Sequence, residues 1–177
     1  PEVQIVWGRY LAYFAIMLPI ALARHGLATF TPPAPARQIV RALLLVVSTV
    51  AFAAGVAELR FADAIAILYV YPFVLTLLSP WMLGEKVPRA AWFGVVGGFI
   101  GVLIVMRPDP ASFNYHALLV FICGTVLAVH LAFTRQLALT TSPVITSTYT
   151  AFVCLVTLSL AVPFFWEPVP TDLLWRF

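Results

Sequence analysis

Arg9 and His130 are the side chains of this sequence best placed to do chemistry, because each stands inside a long run of apolar residues. Arg9 lies about 10 Å along a helix begun at residue 3, where a charge costs about 2.5 kcal/mol or more if hydrocarbon surrounds it. It must reach the interface, pair, or face water. Trp7, Tyr10 and Tyr13 flank it, either as an interfacial aromatic belt or as the wall of a cavity. His130 poses a similar choice between a hydrogen-bonded packing residue and a proton relay. A third feature is Tyr69-Val70-Tyr71-Pro72-Phe73, in which Pro72 removes one backbone donor and leaves a carbonyl free in the middle of an apolar run. A kink there is either structural or the edge of a site exposing polar backbone at mid-membrane. Where these residues face a cavity rather than pack, Tyr13, Tyr69, Pro72 and Phe73 are candidates to enclose a small organic solute, with Arg9 supplying charge and His130 a polar contact. They do not suit catalysis. No nucleophile-base-orienter set, HExxH or phosphate loop is present, and His25, His116 and His130 are far apart. The expectation is therefore no catalytic residue, no metal and no cofactor. Cys123 and Cys154 have no metal-ligand or redox spacing and read as small buried hydrophobes. Glu58, Arg60 and Asp63 read as a solvated ion group at a loop edge.

The elements that must position these residues follow from composition. Of the 177 residues 63% are hydrophobic and 10% charged, with a mean hydropathy of +1.02, whereas soluble domains carry roughly 25% charged residues. So few charges cannot cover a water-soluble fold of this size. Six apolar runs, at about 3–23, 39–57, 62–83, 90–106, 117–133 and 144–165, are each long enough to cross ~30 Å of hydrocarbon as a helix. They do not alternate as barrel strands do. The fold class predicted is all-α, a polytopic transmembrane helical bundle. Breakers separate the runs: Thr31-Pro32-Pro33-Ala34-Pro35, Gly84-Glu85-Lys86-Val87-Pro88 and Arg107-Pro108-Asp109-Pro110. Gly94, Gly97, Gly98 and Gly101 form overlapping GxxxG spacings that read as a helix-packing seam. Alternate loops hold Arg24, Arg37, Arg41, Lys86, Arg89 and Arg135 against only Arg60 and Arg107, so the first set is expected in the cytoplasm. Residue 1 then lies outside, as if an earlier helix were missing. The net charge of +3 is carried by scattered residues, with no basic stripe for nucleic acid.

Phe61-Ala62-Asp63-Ala64-Ile65-Ala66-Ile67-Leu68-Tyr69-Val70-Tyr71-Pro72-Phe73, then Leu83-Gly84-Glu85, then the glycine-rich run from Gly94 to Met106 closing in Arg107-Pro108, resembles the EamA-type repeat of the drug/metabolite transporter superfamily. Gly8-Arg9-Tyr10 and Ala132-Phe133-Thr134-Arg135 are similar to further helices of that pattern. The resemblance implies a ten-helix carrier of two inverted five-helix repeats around a central cavity. The six runs would be helices two to seven, with residues 1–110 belonging to the first repeat and 111–177 opening the second. It also implies that Arg9, Tyr69, Pro72 and Phe73 lie near the cavity and that Glu85 ties the cytoplasmic turn. The family takes in riboflavin and S-adenosylmethionine and exports amino acids. The expected function is secondary transport of a small organic metabolite, with halves rocking about a midplane site. The alternative is a non-transporting scaffold whose glycine seam binds a partner helix. Expected partners are a small-molecule substrate and membrane lipid, with a second copy of the chain left open, and the expected location is the bacterial plasma (inner) membrane.

Overall fold

Backbone amides in hydrocarbon must bond within their own segment, and the chain answers this demand with helices throughout its described part. The computed structural model describes residues 2–106 and 115–164. In chain order its α-helices are α1 (Glu2–His25), α2 (Pro35–Val56), α3 (Phe61–Leu68), α4 (Tyr71–Met82), α5 (Arg89–Met106), α6 (Tyr115–Ala138) and α7 (Pro143–Ala161). Short 3-10 turns follow α1 and α7. Prolines open α2 and α7 at the first helical position, where the missing amide would have had no partner. Gly84 follows α4 with a φ of +67°, the left-handed turn that ends a helix and that glycine adopts without strain. Arg107, Pro108, Asp109 and Pro110, the breaker after the fourth run, lie outside the described residues.

Among the described residues five spans are long and apolar enough to cross a membrane: 4–30, Pro35–Val56, Phe61–Met82, Tyr115–Ala138 and 143–164. The run in α5 is also apolar, but its described side chains cover only Arg89–Ile104. The chain is an all-α, multi-pass integral membrane protein.

α6 lies at the centre. It packs along α2 and against α3 and α4, while α1 packs on α7 and α7 on α2. Close approach of α2 and α6 depends on Gly55, where a Cβ would stand 2.5 Å from Val120 Cγ2 and 3.1 Å from the His116 carbonyl. Ser48 Oγ of α2 donates to the Cys123 carbonyl of α6 at 3.2 Å. Between α1, α2 and α7 a buried cluster forms from Tyr10, Ala42, Val46, Cys154 and Leu158, with Tyr13 half-buried against it. Trp7 Nε1 donates to Ser159 Oγ at 2.9 Å across the same α1/α7 contact.

Three sequence expectations change. Arg41, counted among the loop charges although it falls within the second run, is inside α2 and 4% exposed, because α6 and α7 pack against this part of the helix. The third run is two helices rather than one kinked helix. Asp63 is 1% exposed rather than solvated, although Arg60 lies at the surface and bonds it at 2.7 and 3.0 Å. Among the described residues, a Cβ on any of the four glycines of α5 would meet nothing within 4 Å.

Candidate functional site

The break in the third span begins with the proline. The Tyr69 amide bonds the Ile65 carbonyl and the Val70 amide turns back to Ile67, both at 3.1 Å. Helix α4 then starts afresh, with Phe73 and Val74 both donating to the Val70 carbonyl at 3.0 and 3.2 Å. Pro72 has no amide to give the Leu68 carbonyl, which a continuous helix would pair with residue 72. That carbonyl faces α6 at Gly124: a Cβ there would be 3.0 Å from Leu68 O and 2.9 Å from Val70 Cγ1. Glycine is thus what lets α6 lie against the broken strand of the span. At the break Tyr69 is exposed and its ring centroid is 6.1 Å from that of Tyr71. Phe73 meets Phe99 of α5 edge-on at 5.4 Å.

A second polar centre lies between α2, α6 and α7. Arg41 Nη1 donates to Thr134 Oγ1 of α6 at 3.1 Å, and Nη2 donates to the Thr146 carbonyl of α7 at 2.9 Å and to Thr150 Oγ1. Gln38 Nε2, one turn earlier on α2, donates to Thr146 Oγ1 at 3.3 Å. His130 Nδ1–H donates to the Arg41 carbonyl at 2.8 Å, and the ring is 7% exposed. His130 therefore braces α6 on α2.

The charged helix ends gather at one end of the bundle. A cavity of about 510 Å³ opens there between Arg37, Met82, Glu85, Arg135 and Gln136. Glu85 and Arg135 pair at 3.3 Å with both side chains about half exposed, and Gln136 Nε2 donates to the Met82 carbonyl. His25 Nε2 is 3.1 Å from Ser142 Oγ, joining the α1 turn to the start of α7. Exposed ion pairs contribute little, so Glu85→Ala is expected to lower unfolding stability in detergent by no more than about 1 kcal/mol, and by less still in 1 M salt. Thermal unfolding at two salt concentrations checks this; a larger, salt-independent loss would mean that Glu85 holds the fold in some other way.

Of the residues singled out from sequence, Tyr69, Pro72 and Phe73 come together at the break. Arg9 does not join them. Its guanidinium lies 5.1 Å from the centre of the Tyr10 ring, with Arg9 exposed and Tyr10 buried, and no hydrogen bond or ring contact links it to Tyr69 or Phe73. Tyr13 packs in the α1/α2/α7 cluster, and His130 sits with Arg41. Glu85 is at the basic end. Arg41, Gln38, Thr134, Thr146, Thr150, Gly55 and Gly124 were not singled out. Arg41 carried the same signal as Arg9, a charge within an apolar run. Polar threonines spaced four apart on α7 and a lone glycine on α6 had no distinguishing pattern.

Comparison with known proteins agrees with this architecture. The model of the EamA-like transporter family matches residues 1–107. A riboflavin transporter of Rhizobium johnstonii is 32% identical over 67% of this chain and 39% of its own length. The pseudopaline exporter of Pseudomonas aeruginosa is 25% identical over 73% of this chain and 47% of its own. An S-adenosylmethionine uptake transporter of Rickettsia felis is 24% identical over 63% of this chain and 37% of its own. The chain thus spans less than half the length of these curated relatives. One solved crystal structure shares the fold, with a TM-score of 0.76 at 18% identity, over 98% of this chain and 62% of that one. Because the family model covers more than half of the sequence, including the broken third span and the glycine-rich α5, this chain belongs to the EamA-like transporter family.

Proposed function

We propose that the full-length protein is a secondary carrier that moves a small organic metabolite across the bacterial plasma membrane, and that it is not an enzyme. The observation that carries this reading is the interrupted third span, where Pro72 leaves the Leu68 carbonyl without a helical donor beside the exposed Tyr69. Irregular backbone at membrane depth is tolerated where it is covered by protein or lines a water-filled cavity, and discontinuous helices recur at carrier sites. The names of the three relatives, two uptake systems and one exporter, support transport as the activity and leave its direction open.

In this reading residues 1–110 belong to one repeat and 111–177 open a second, inverted one. The extensive packing of α1 and α2 on α6 and α7 supports an interface between the two repeats at the centre of the bundle. Tyr69, Pro72 and Phe73 line the solute path, with Arg9 and Tyr13 on α1 and His130 on α6 as further wall residues. Glu85 ties the cytoplasmic turn through Arg135. Gly94, Gly97, Gly98 and Gly101 form a packing face toward a helix of the full-length protein or of a second copy, and lipid covers the remaining apolar surface. No part of the surface is assigned to nucleic acid. By the loop charges, the end carrying Arg37, Lys86, Arg89 and Arg135 is cytoplasmic.

The test needs no known solute. A cysteine at Tyr69 of the full-length protein is expected to react with a small, charged, membrane-impermeant thiol reagent in vesicles, while the native Cys123 and Cys154, 2% and 0% exposed, stay unlabelled. A cysteine at Tyr69 as inert as those two would remove the water-accessible path and leave a packing scaffold as the better account.

A further inference from the structure

Arg41 is a full positive charge 4% exposed within a span, and among the described residues it has no carboxylate partner. Its acceptors are all neutral: two threonine hydroxyls and one backbone carbonyl. Its Nε has no acceptor, and the neighbouring Gln38 Oε1 has no donor, although both atoms are buried. Neutral oxygens orient a guanidinium but leave its charge uncompensated, and in a low-dielectric interior a lone charge is the most expensive group to keep. Intramembrane ionisable residues are accordingly rare and tend to mark substrate or ion pathways. The basic end of the bundle lies one helical turn away. Arg37 precedes Arg41 by four residues on α2, so the two share one helix face, and Arg37 lines the cavity of about 510 Å³ at the basic end. Among the described residues Arg37 makes no ion pair, and the one carboxylate on that cavity wall, Glu85, is engaged with Arg135. The vestibule and the buried centre behind it therefore carry net positive charge, which concentrates anions at the mouth.

We propose that Arg41 is the counter-charge for the carboxylate of a transported organic anion, which enters by the Arg37 vestibule and takes the free Nε donor. This rests on the carrier reading above and narrows its solute to an acid. A planar guanidinium binds a carboxylate through two parallel donors. The anion would take Nε together with one Nη nitrogen, displacing a threonine from that nitrogen. Thr134 Oγ1 and Thr150 Oγ1 can yield at little cost, because each also donates to its own helix, at 2.8 Å to the His130 carbonyl and 2.6 Å to the Thr146 carbonyl. Because Arg41 joins α2 to α6 and α7, its exchange of threonines for a solute loosens the contact between these helices when the solute arrives.

The test uses the full-length protein in vesicles of neutral phosphatidylcholine, so that no anionic headgroup competes. Uptake is measured for a panel of aromatic and aliphatic metabolite acids, each matched with its amide, for example indole-3-acetate with indole-3-acetamide. Native protein is expected to move acids at least tenfold faster than their amides. Arg41→Gln is expected to lower acid uptake at least tenfold and to bring the acid-to-amide ratio toward one, and Arg41→Lys to retain part of the acid uptake. Equal transport of acid and amide by native protein, or undiminished acid uptake by Arg41→Gln, overturns the proposal while leaving a carrier in place. No uptake of any solute above protein-free vesicles overturns the proposal and the carrier reading together. Should Arg41→Gln fail to fold, the acid-to-amide ratio of native protein decides alone.

Discussion

Gly124→Ala is expected to destabilise the full-length protein by about 1–3 kcal/mol, and Gly124→Val by more, through overpacking at the break in the third span. The new Cβ would meet Val70 Cγ1 at 2.9 Å and the Leu68 carbonyl at 3.0 Å. The second of these is backbone, and it cannot swing away without unmaking the turn between α3 and α4. Gly55→Ala is expected to be comparably harmful, because its Cβ would stand 2.5 Å from Val120 Cγ2 where α2 and α6 pack most closely. The two positions differ in how they can be repaired. Val120→Ala removes the 2.5 Å obstacle at Gly55, the tighter of the two side-chain clashes, and leaves the His116 carbonyl at 3.1 Å, so the double variant should recover part of the loss. Val70→Ala leaves the Leu68 carbonyl in place and should recover little at Gly124. A double-mutant cycle on thermal unfolding in detergent separates the cases. Equal rescue at both sites would show that the Leu68 carbonyl is free to move, and the broken span would then be a flexible joint rather than a fixed one.

The second large effect has two opposite signs. Arg41→Met is expected to leave folding stability unchanged or to raise it, by up to about 1–4 kcal/mol, because replacing a buried charge with a side chain of similar length removes its desolvation penalty. Thr134 and Thr150 keep their bonds to their own helices, and Gln38 keeps Thr146, so the substitution strands no buried hydroxyl. Transport of acids should nevertheless be lost. A charge that weakens the fold where it sits is most simply explained by a demand other than folding. A fall in stability of more than about 3 kcal/mol, comparable to breaking a buried pair, would instead make Arg41 a pin between α2, α6 and α7.

Much of this architecture was legible from residue types alone. Long apolar runs bounded by proline clusters can only satisfy their amides as helices, so the helical bundle and most helix ends follow from the positions of Pro35, Pro88 and Pro143. Pro72 announced an interruption, since a missing donor is a local property. What it did not announce was which helix covers the exposed carbonyl. That depends on Gly124, 52 residues further on and the one glycine of α6. Arg41 was missed for a different reason. A basic residue near a helix start looks the same in sequence whether it snorkels outward or is walled in, and only the packing of α6 and α7 makes the distinction. Asp63 was misjudged in the same way, its burial being set by neighbours that no local pattern identifies. The α5 glycines show the converse: the spacing is plain, but among the described residues nothing lies within 4 Å of a Cβ built on them.

The central claim is that these spans cross a bilayer and bring the basic loops to one side. It is tested most directly by two-sided labelling of single cysteines in sealed, oriented vesicles of the full-length protein. Cysteines at Pro33, Lys86 and Thr140 should all react with an impermeant reagent from the same side, and a cysteine at Glu58 only from the other. Labelling of Pro33 and Lys86 from opposite sides would contradict the topology on which the site, the vestibule and the proposed path all depend.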